Sequence, residues 1–289
     1  MSFTIRLTLA LLVALLAAAL IAPWVAAIVA VLGFRFPFPR IFDRVVMVAL
    51  AVVMVQNAKR LGLGRRLGIG FANPGANLGR ILRGLAIAIA AVAALWIVAV
   101  VISGGETSGF ARLWARMPGT LAAALIIAVM EEAFFRAFVL DGMSDDFGPT
   151  PALVLNSAVY AFAHLLRSPA RFYLDGLHPL AGFQVLAASF GQFGHSAEFI
   201  PALIGLFLLG LLLGRAFLLT GTVYFSIGLH AGFVVGAKSW RIVAPPSGLL
   251  PMWLVGYTRP PLISGVGAWV IALTLLILIK PLTRERKRS

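Results

Sequence analysis

Residues Leu7 to Leu32 form a run without a single charged side chain, and no other feature restricts the possible folds as much. A helix needs about 20 consecutive apolar residues to cross the ~30 Å hydrocarbon core of a bilayer. The run exceeds the roughly 7–15 apolar residues of a cleaved signal peptide, so it reads as an uncleaved first span. Similar runs recur along the chain. Of the 289 residues, 61% are hydrophobic and 12% charged, about half the charged share of a soluble domain, and the mean hydropathy is +1.00. The expected fold is an all-α, polytopic membrane helix bundle with about eight transmembrane helices. A soluble two-domain enzyme would need polar helix faces that these runs lack.

The net charge of +14 does not point to nucleic acid. The basic residues border apolar runs instead of alternating with aromatics on a polar surface, which suits anionic headgroups and orientation signals. The chain has no cysteine, which removes disulfides, thiolate nucleophiles and thiolate metal sites.

The expected spans are Leu7 to Leu32, a short one at Val45 to Gln56, Leu85 to Ile102, Thr120 to Leu140, Thr150 to Leu166, Phe199 to Leu219, Thr222 to Ala237 and Leu262 to Ile279. Pro37 and Pro39 end any helix between the first two. Asn57 to Arg83 holds six basic residues and no acid, reading as a cytoplasmic loop on the membrane surface. The stretch DGMSDDFGP reads as an acidic turn, and a re-entrant or interfacial helix is expected around Leu180 to Phe190. An even number of spans puts both termini, with the tail RERKRS, on the cytoplasmic side.

Within the fourth span, Glu131-Glu132-Ala133-Phe134-Phe135-Arg136 places two carboxylates and a guanidinium at bilayer depth. Each ionisable group there costs at least ~2.5–3.5 kcal/mol, so it marks a site by default. Glu132 and Arg136 are four apart and share a helical face, which allows them to pair. Glu131 lies about 100° around the helix. On the fifth span Asn156, Tyr160 and His164 form a stripe ending in an imidazole; on the seventh, Thr222, Ser226 and His230 do the same. Polar stripes face a bundle interior and often act only as packing glue. His178 and His195 lie in the mixed segment between the fifth and sixth spans and are weaker candidates.

Two carboxylates and two imidazoles suit activation of a water that attacks an amide, with a second imidazole or backbone donors stabilising the oxyanion. Glu131, His164 and His230 could alternatively ligate a divalent metal such as zinc, although no HExxH is present. A proton-coupled transporter or a non-catalytic scaffold would use the same buried groups as a relay or as glue.

EEAFFR resembles the EExxxR motif of the CPBP family, the CAAX prenyl protease type 2 and bacteriocin-processing (Abi) group of intramembrane proteases. YAFAH, Tyr160 to His164, is similar to the family's FxxxH with tyrosine replacing phenylalanine, and His230 stands where its third-motif histidine belongs. The resemblance implies a glutamate-type intramembrane peptidase: Glu131 as general base, His164 assisting, Glu132 with Arg136 structuring the site and His230 stabilising the oxyanion. Asn156, Tyr160 and Ser226 would support them. Val234 departs from the pattern, since a polar residue often stands four positions after that histidine. Carboxylate and imidazole suffice for proton transfer, which favours a metal-free site, and a divalent metal such as zinc is the alternative. Residues 119–240 form the expected core, between N-terminal spans with their basic loop (1–118) and a C-terminal span with its basic tail (241–289). The implied partners are the lipid bilayer and a protein or peptide substrate cleaved in a membrane-anchored or C-terminal segment. The alanine- and arginine-rich composition points to a bacterial inner membrane.

Overall fold

A computed structural model describes residues 2–104, 109–166, 172–191, 198–243, 252–256 and 262–283. Among these there is no strand. The helices are α1 (Phe3–Val31), α2 (Phe38–Asn57), α3 (Leu63–Gly70), α4 (Pro74–Ile102), α5 (Phe110–Glu132), a π-helical segment (Ala133–Leu140), α6 (Asp141–Phe147), α7 (Pro149–Leu165), α8 (Ala181–Gly191), α9 (Phe199–Thr220), α10 (Tyr224–Val243), α11 (Met252–Val255) and α12 (Val266–Thr283). By length and composition α1, α4, α9 and α12 can each cross a membrane. The other four expected spans are the helices α2, α5, α7 and α10, each carrying charged or titratable residues that dilute its apolar character. His195 and the tail RERKRS lie outside the described residues. The chain is an all-helical integral membrane protein, and it divides into two compact units.

The first unit comprises residues 1–64 and 164–199. Its framework is a hairpin of α1 and α2, joined through Gly33 at φ +84°. Arg6 at the start of α1 donates to the Arg60 carbonyl just beyond α2 at 3.2 Å. Ala10, Ala14, Ala18, Ala22 and Ala26 recur every four residues on α1 and are all buried. Small side chains at that spacing let helices approach closely where lipid provides no hydrophobic drive. Gly182 of α8 uses this: a Cβ there would lie 2.0 Å from the Ala19 carbonyl oxygen. The helix expected around Leu180 to Phe190 is thus α8, seated on α1.

The second unit comprises residues 65–163 and 200–289. At its centre α4 and α10 cross at glycine distance. A Cβ at Gly84 would meet the Phe225 carbonyl at 2.5 Å, and one at Gly228 the Ile81 carbonyl at 2.1 Å. One at Gly232 would meet the Ala88 Cβ at 2.6 Å, and one at Gly236 the Val92 side chain at 2.8 Å. Gly228, Gly232 and Gly236 repeat every four residues along α10, the small-residue pattern of close membrane helix pairs. Because the obstructing atom at Gly228 is backbone, no rotamer change accommodates a side chain. Gly228→Val is expected to destabilise the protein by at least the ~1–3 kcal/mol typical of overpacking, read as a lowered melting temperature in detergent.

The basic loop and the acidic turn both contain helix. Arg66 in α3 is buried and forms ion pairs with Asp141 and, at 2.6 Å, with Asp145 of α6. The Gly70 carbonyl accepts from the Val223 amide at 3.0 Å, and the Phe71 carbonyl accepts from the Tyr224 hydroxyl at 2.8 Å. The acids at positions 141 and 145 therefore hold α3 against α6, and the Gly70 and Phe71 carbonyls hold the chain after it beside the start of α10. Hydrogen bonding satisfies the buried guanidinium, so the contact exceeds an exposed ion pair in value. Arg66→Ala is expected to speed proteolysis within residues 58–73 at least about fivefold, corresponding to ~1 kcal/mol.

Candidate functional site

Glu131 and Glu132 end α5, and Arg136 falls in the π-helical segment that continues it. A π-bulge changes the register of side chains along a helix and is frequent at functional sites. Glu132 and Arg136 are fully buried and pair at 3.3 Å, Oε2 to Nε. The other oxygen of Glu132, Oε1, accepts from His230 Nδ1 at 2.9 Å. Both Glu132 oxygens therefore face a partner.

Arg136 is held from several sides. Its Nη1 donates to Asn156 Oδ1 at 3.3 Å, and Asn156 Nδ2 donates to the Phe135 carbonyl at 3.0 Å. The side-chain amide thus links the guanidinium of α5's continuation to the backbone of that same segment. The Tyr160 ring lies under the guanidinium, 4.7 Å from its carbon, and meets the Phe135 ring edge-on at 5.1 Å. A desolvated cation over an aromatic face gains about 2 kcal/mol. Asn156 and Tyr160, four apart on α7, are one stripe serving one cation.

His230 joins the two glutamates. Its Nε2 is 3.7 Å from Glu131 Oε2, while Nδ1 contacts Glu132. Helical spacing alone separates the two carboxylates by about 100°; an imidazole with nitrogens on two sides bridges that angle. Because a carboxylate only accepts, Nδ1 carries the proton toward Glu132, and Nε2 is the ring atom left for chemistry. The His230 side chain is 4% exposed, whereas that of Glu131 is 28% exposed. Glu131 is the partly exposed carboxylate of the cluster, with the oxygen that faces His230, Oε2, itself buried.

Ser226 is fully buried beside Glu132, one turn before His230, and its hydroxyl donates to the Val223 carbonyl at 2.9 Å. Val234 is half-buried on α10. Asn156, Tyr160, Ser226, Glu131, Glu132, Arg136 and His230 therefore belong to one cluster within the second unit. His164 is half-buried one turn beyond Tyr160 on α7 and is the first residue of the other unit. His178 is exposed, its Nε2 3.0 Å from the Asp175 carbonyl in a loop.

Among the described residues, no three His, Cys, Asp or Glu side chains form a group that could hold a metal ion. Glu132 is occupied by Arg136 and His230, and the two nitrogens of His230 face the two carboxylates.

The glycine ladder of α10 is the part of the site that motif reading overlooks. Gly228 and Gly232 flank His230 and set α10 against α4, fixing the ring's height. Their spacing of four is visible in the sequence, but glycine carries no chemistry that would mark it as part of a site. The Phe135 carbonyl that anchors Asn156 had no sequence signal, because backbone acceptors have none.

Apolar helices enclosing a carboxylate, guanidinium and imidazole cluster define an integral membrane protein with a polar site inside its helical core. Residues 112–236 match the family described as Rce1-like, type II CAAX prenyl endopeptidase Rce1-like. The matched segment contains the whole cluster, and the family is the one that the three motifs resemble. No curated protein and no solved structure gives a match to the chain.

Proposed function

We propose that the protein is an intramembrane endopeptidase that hydrolyses a peptide bond with a water activated by Glu131. The observation that supports this most is the asymmetry of the two carboxylates. Glu132 is fully buried and engaged on both oxygens, while Glu131 is partly exposed and faces the other ring nitrogen of His230.

A water between Glu131 and His230 Nε2 would donate one hydrogen to each, leaving its lone pair directed outward at a carbonyl carbon. Glu131 takes one proton as the water oxygen forms the new C–O bond and the carbonyl π pair moves onto oxygen. Collapse of that tetrahedral species breaks the C–N bond, and the proton on Glu131 passes to the leaving amine. One water is consumed, and a carboxylic acid and an amine are released. Glu132 holds Nδ1–H and so fixes the tautomer that presents Nε2; Arg136 neutralises Glu132. His230 would act as an oxyanion donor, the role implied by family resemblance, only when doubly protonated. His164 is proposed as the assisting acid–base group on that resemblance.

A proton relay needs its groups in succession across the bilayer, whereas Glu131 and Glu132 converge on the one imidazole of His230. The proposed substrate class is a membrane-anchored or C-terminal protein segment, a reading that the family match supports. Reconstituted protein incubated with prenylated and unprenylated C-terminal peptides, with product termini read by mass spectrometry, tests the assignment. New termini that depend on Glu131 and His164 support it. Proton flux in proteoliposomes without new termini would favour the transporter.

A further inference from the structure

At the far end of α5 from Glu131, four cations line one small cavity of about 290 Å³: Arg112 and Arg116 from α5, Lys238 and Arg241 from α10, with Thr120 and Ile242 completing the wall. Among the described residues no carboxylate lines it and none of the four has an ion-pair partner. Arg112, Arg116 and Thr120 repeat every four residues, and Lys238 and Arg241 are three apart, so each set occupies one helical face. The two faces meet where the start of α5 abuts the end of α10: a Cβ at Gly109 would lie 2.5 Å from the Ile242 carbonyl.

Four like charges converging on one cavity repel each other unless an anion joins them. We propose that this cavity binds the phosphate headgroup of an anionic phospholipid, whose acyl chains remain in the bilayer. The cavity is about ten times the ~30 Å³ share of one water, room for a hydrated phosphate. Arginine forks pair with phosphate oxygens, and the Thr120 hydroxyl adds a neutral donor.

The aromatic residues set the depth. Trp114, between the two arginines but turned to the opposite face of α5, is 70% exposed. Trp96 donates its Nε1–H to the Val243 carbonyl at 3.1 Å, next to Ile242. Tryptophan concentrates at headgroup level, where a lipid phosphate is available at high local concentration. Positions 116 and 131 lie about 22 Å apart along α5 at 1.5 Å per residue. The cavity is therefore separate from the carboxylate site, although α5 and α10 carry both.

The test uses the full chain in zwitterionic nanodiscs, titrated with phosphatidylglycerol, phosphatidylcholine or inorganic phosphate, with binding read by the shift in melting temperature. Phosphatidylglycerol is expected to stabilise the wild type and phosphatidylcholine to have no effect. Each charge removed should weaken binding about fivefold, so Arg116→Gln with Arg241→Gln should weaken it about 25-fold. If that double variant does not fold, Arg116→Gln alone should show the fivefold loss and Arg116→Lys should retain most binding. Lys59→Gln with Arg60→Gln removes two charges elsewhere and should leave binding unchanged. An equal loss in that control would overturn the site in favour of diffuse charge attraction. Equal stabilisation by inorganic phosphate and phosphatidylglycerol would overturn the lipid assignment, and undiminished binding by the variants of 116 and 241 would overturn both.

Discussion

Glu131→Gln is expected to reduce peptide cleavage by about 10²–10⁴-fold, the contribution of a positioned general base, while leaving the protein folded. The substitution is nearly isosteric and removes the negative charge, and with it the ability to accept the proton. Because Glu131 is the partly exposed member of the cluster, the change leaves the Glu132–Arg136 pair and the Glu132–His230 hydrogen bond in place. Product termini counted by mass spectrometry measure the loss, and a melting temperature within a few degrees of wild type shows that folding is intact. Cleavage at the wild-type rate would remove Glu131 from the proposed mechanism. His230→Ala should also abolish cleavage, but with a fall in stability, because it strips a hydrogen bond from a buried carboxylate.

The largest expected stability effect is that of Arg136→Ala. It removes the cation at 3.3 Å from Glu132, the donor to Asn156 Oδ1 and the charge over the Tyr160 ring. Breaking one side of a buried ion pair leaves an uncompensated charge and costs about 3–5 kcal/mol. The lost arginine volume adds a cavity. The expected result is a much lower melting temperature and poor recovery from the membrane. The double variant Glu132→Gln with Arg136→Met should recover much of that stability, since replacing both ions removes the unpaired charge. It should nevertheless remain inactive, because a neutral amide at position 132 can donate as well as accept and no longer fixes the His230 tautomer. Equal stability of Arg136→Ala and wild type would mean that the pair contributes little to holding α5, α7 and α10 together.

The two effects separate what each carboxylate does, and that division was partly legible in the sequence. A spacing of four between Glu132 and Arg136 puts both on one helical face, and spacing needs no tertiary information. The Asn156–Tyr160 and Ser226–His230 stripes were equally readable, because polar groups at bilayer depth must face protein. What they face was not readable. The carboxylates at positions 131 and 132 differ by one residue, and nothing local shows that one imidazole reaches both.

Helix boundaries divided in the same way. Apolar length gave the cores of the spans, since hydrocarbon thickness sets that length. It gave nothing for α3 and α6, whose helices rest on the ion pairs of Arg66 with Asp141 and Asp145, far apart in sequence. The expected loop and turn are instead two short helices bound to one another.

The sequence by itself determined that this chain is an all-helical membrane protein, which residues carry charge inside apolar runs, and which family it resembles. Those follow from composition and from the periods of a helix, which are properties of the chain alone. Only the tertiary structure decided that His230 stands between the two glutamates, that Asn156 and Tyr160 enclose Arg136, and that four cations line one cavity at the opposite end of α5. These depend on how α4, α5, α7 and α10 approach one another. That approach is set by glycine and alanine contacts, which lack any chemical signature of their own.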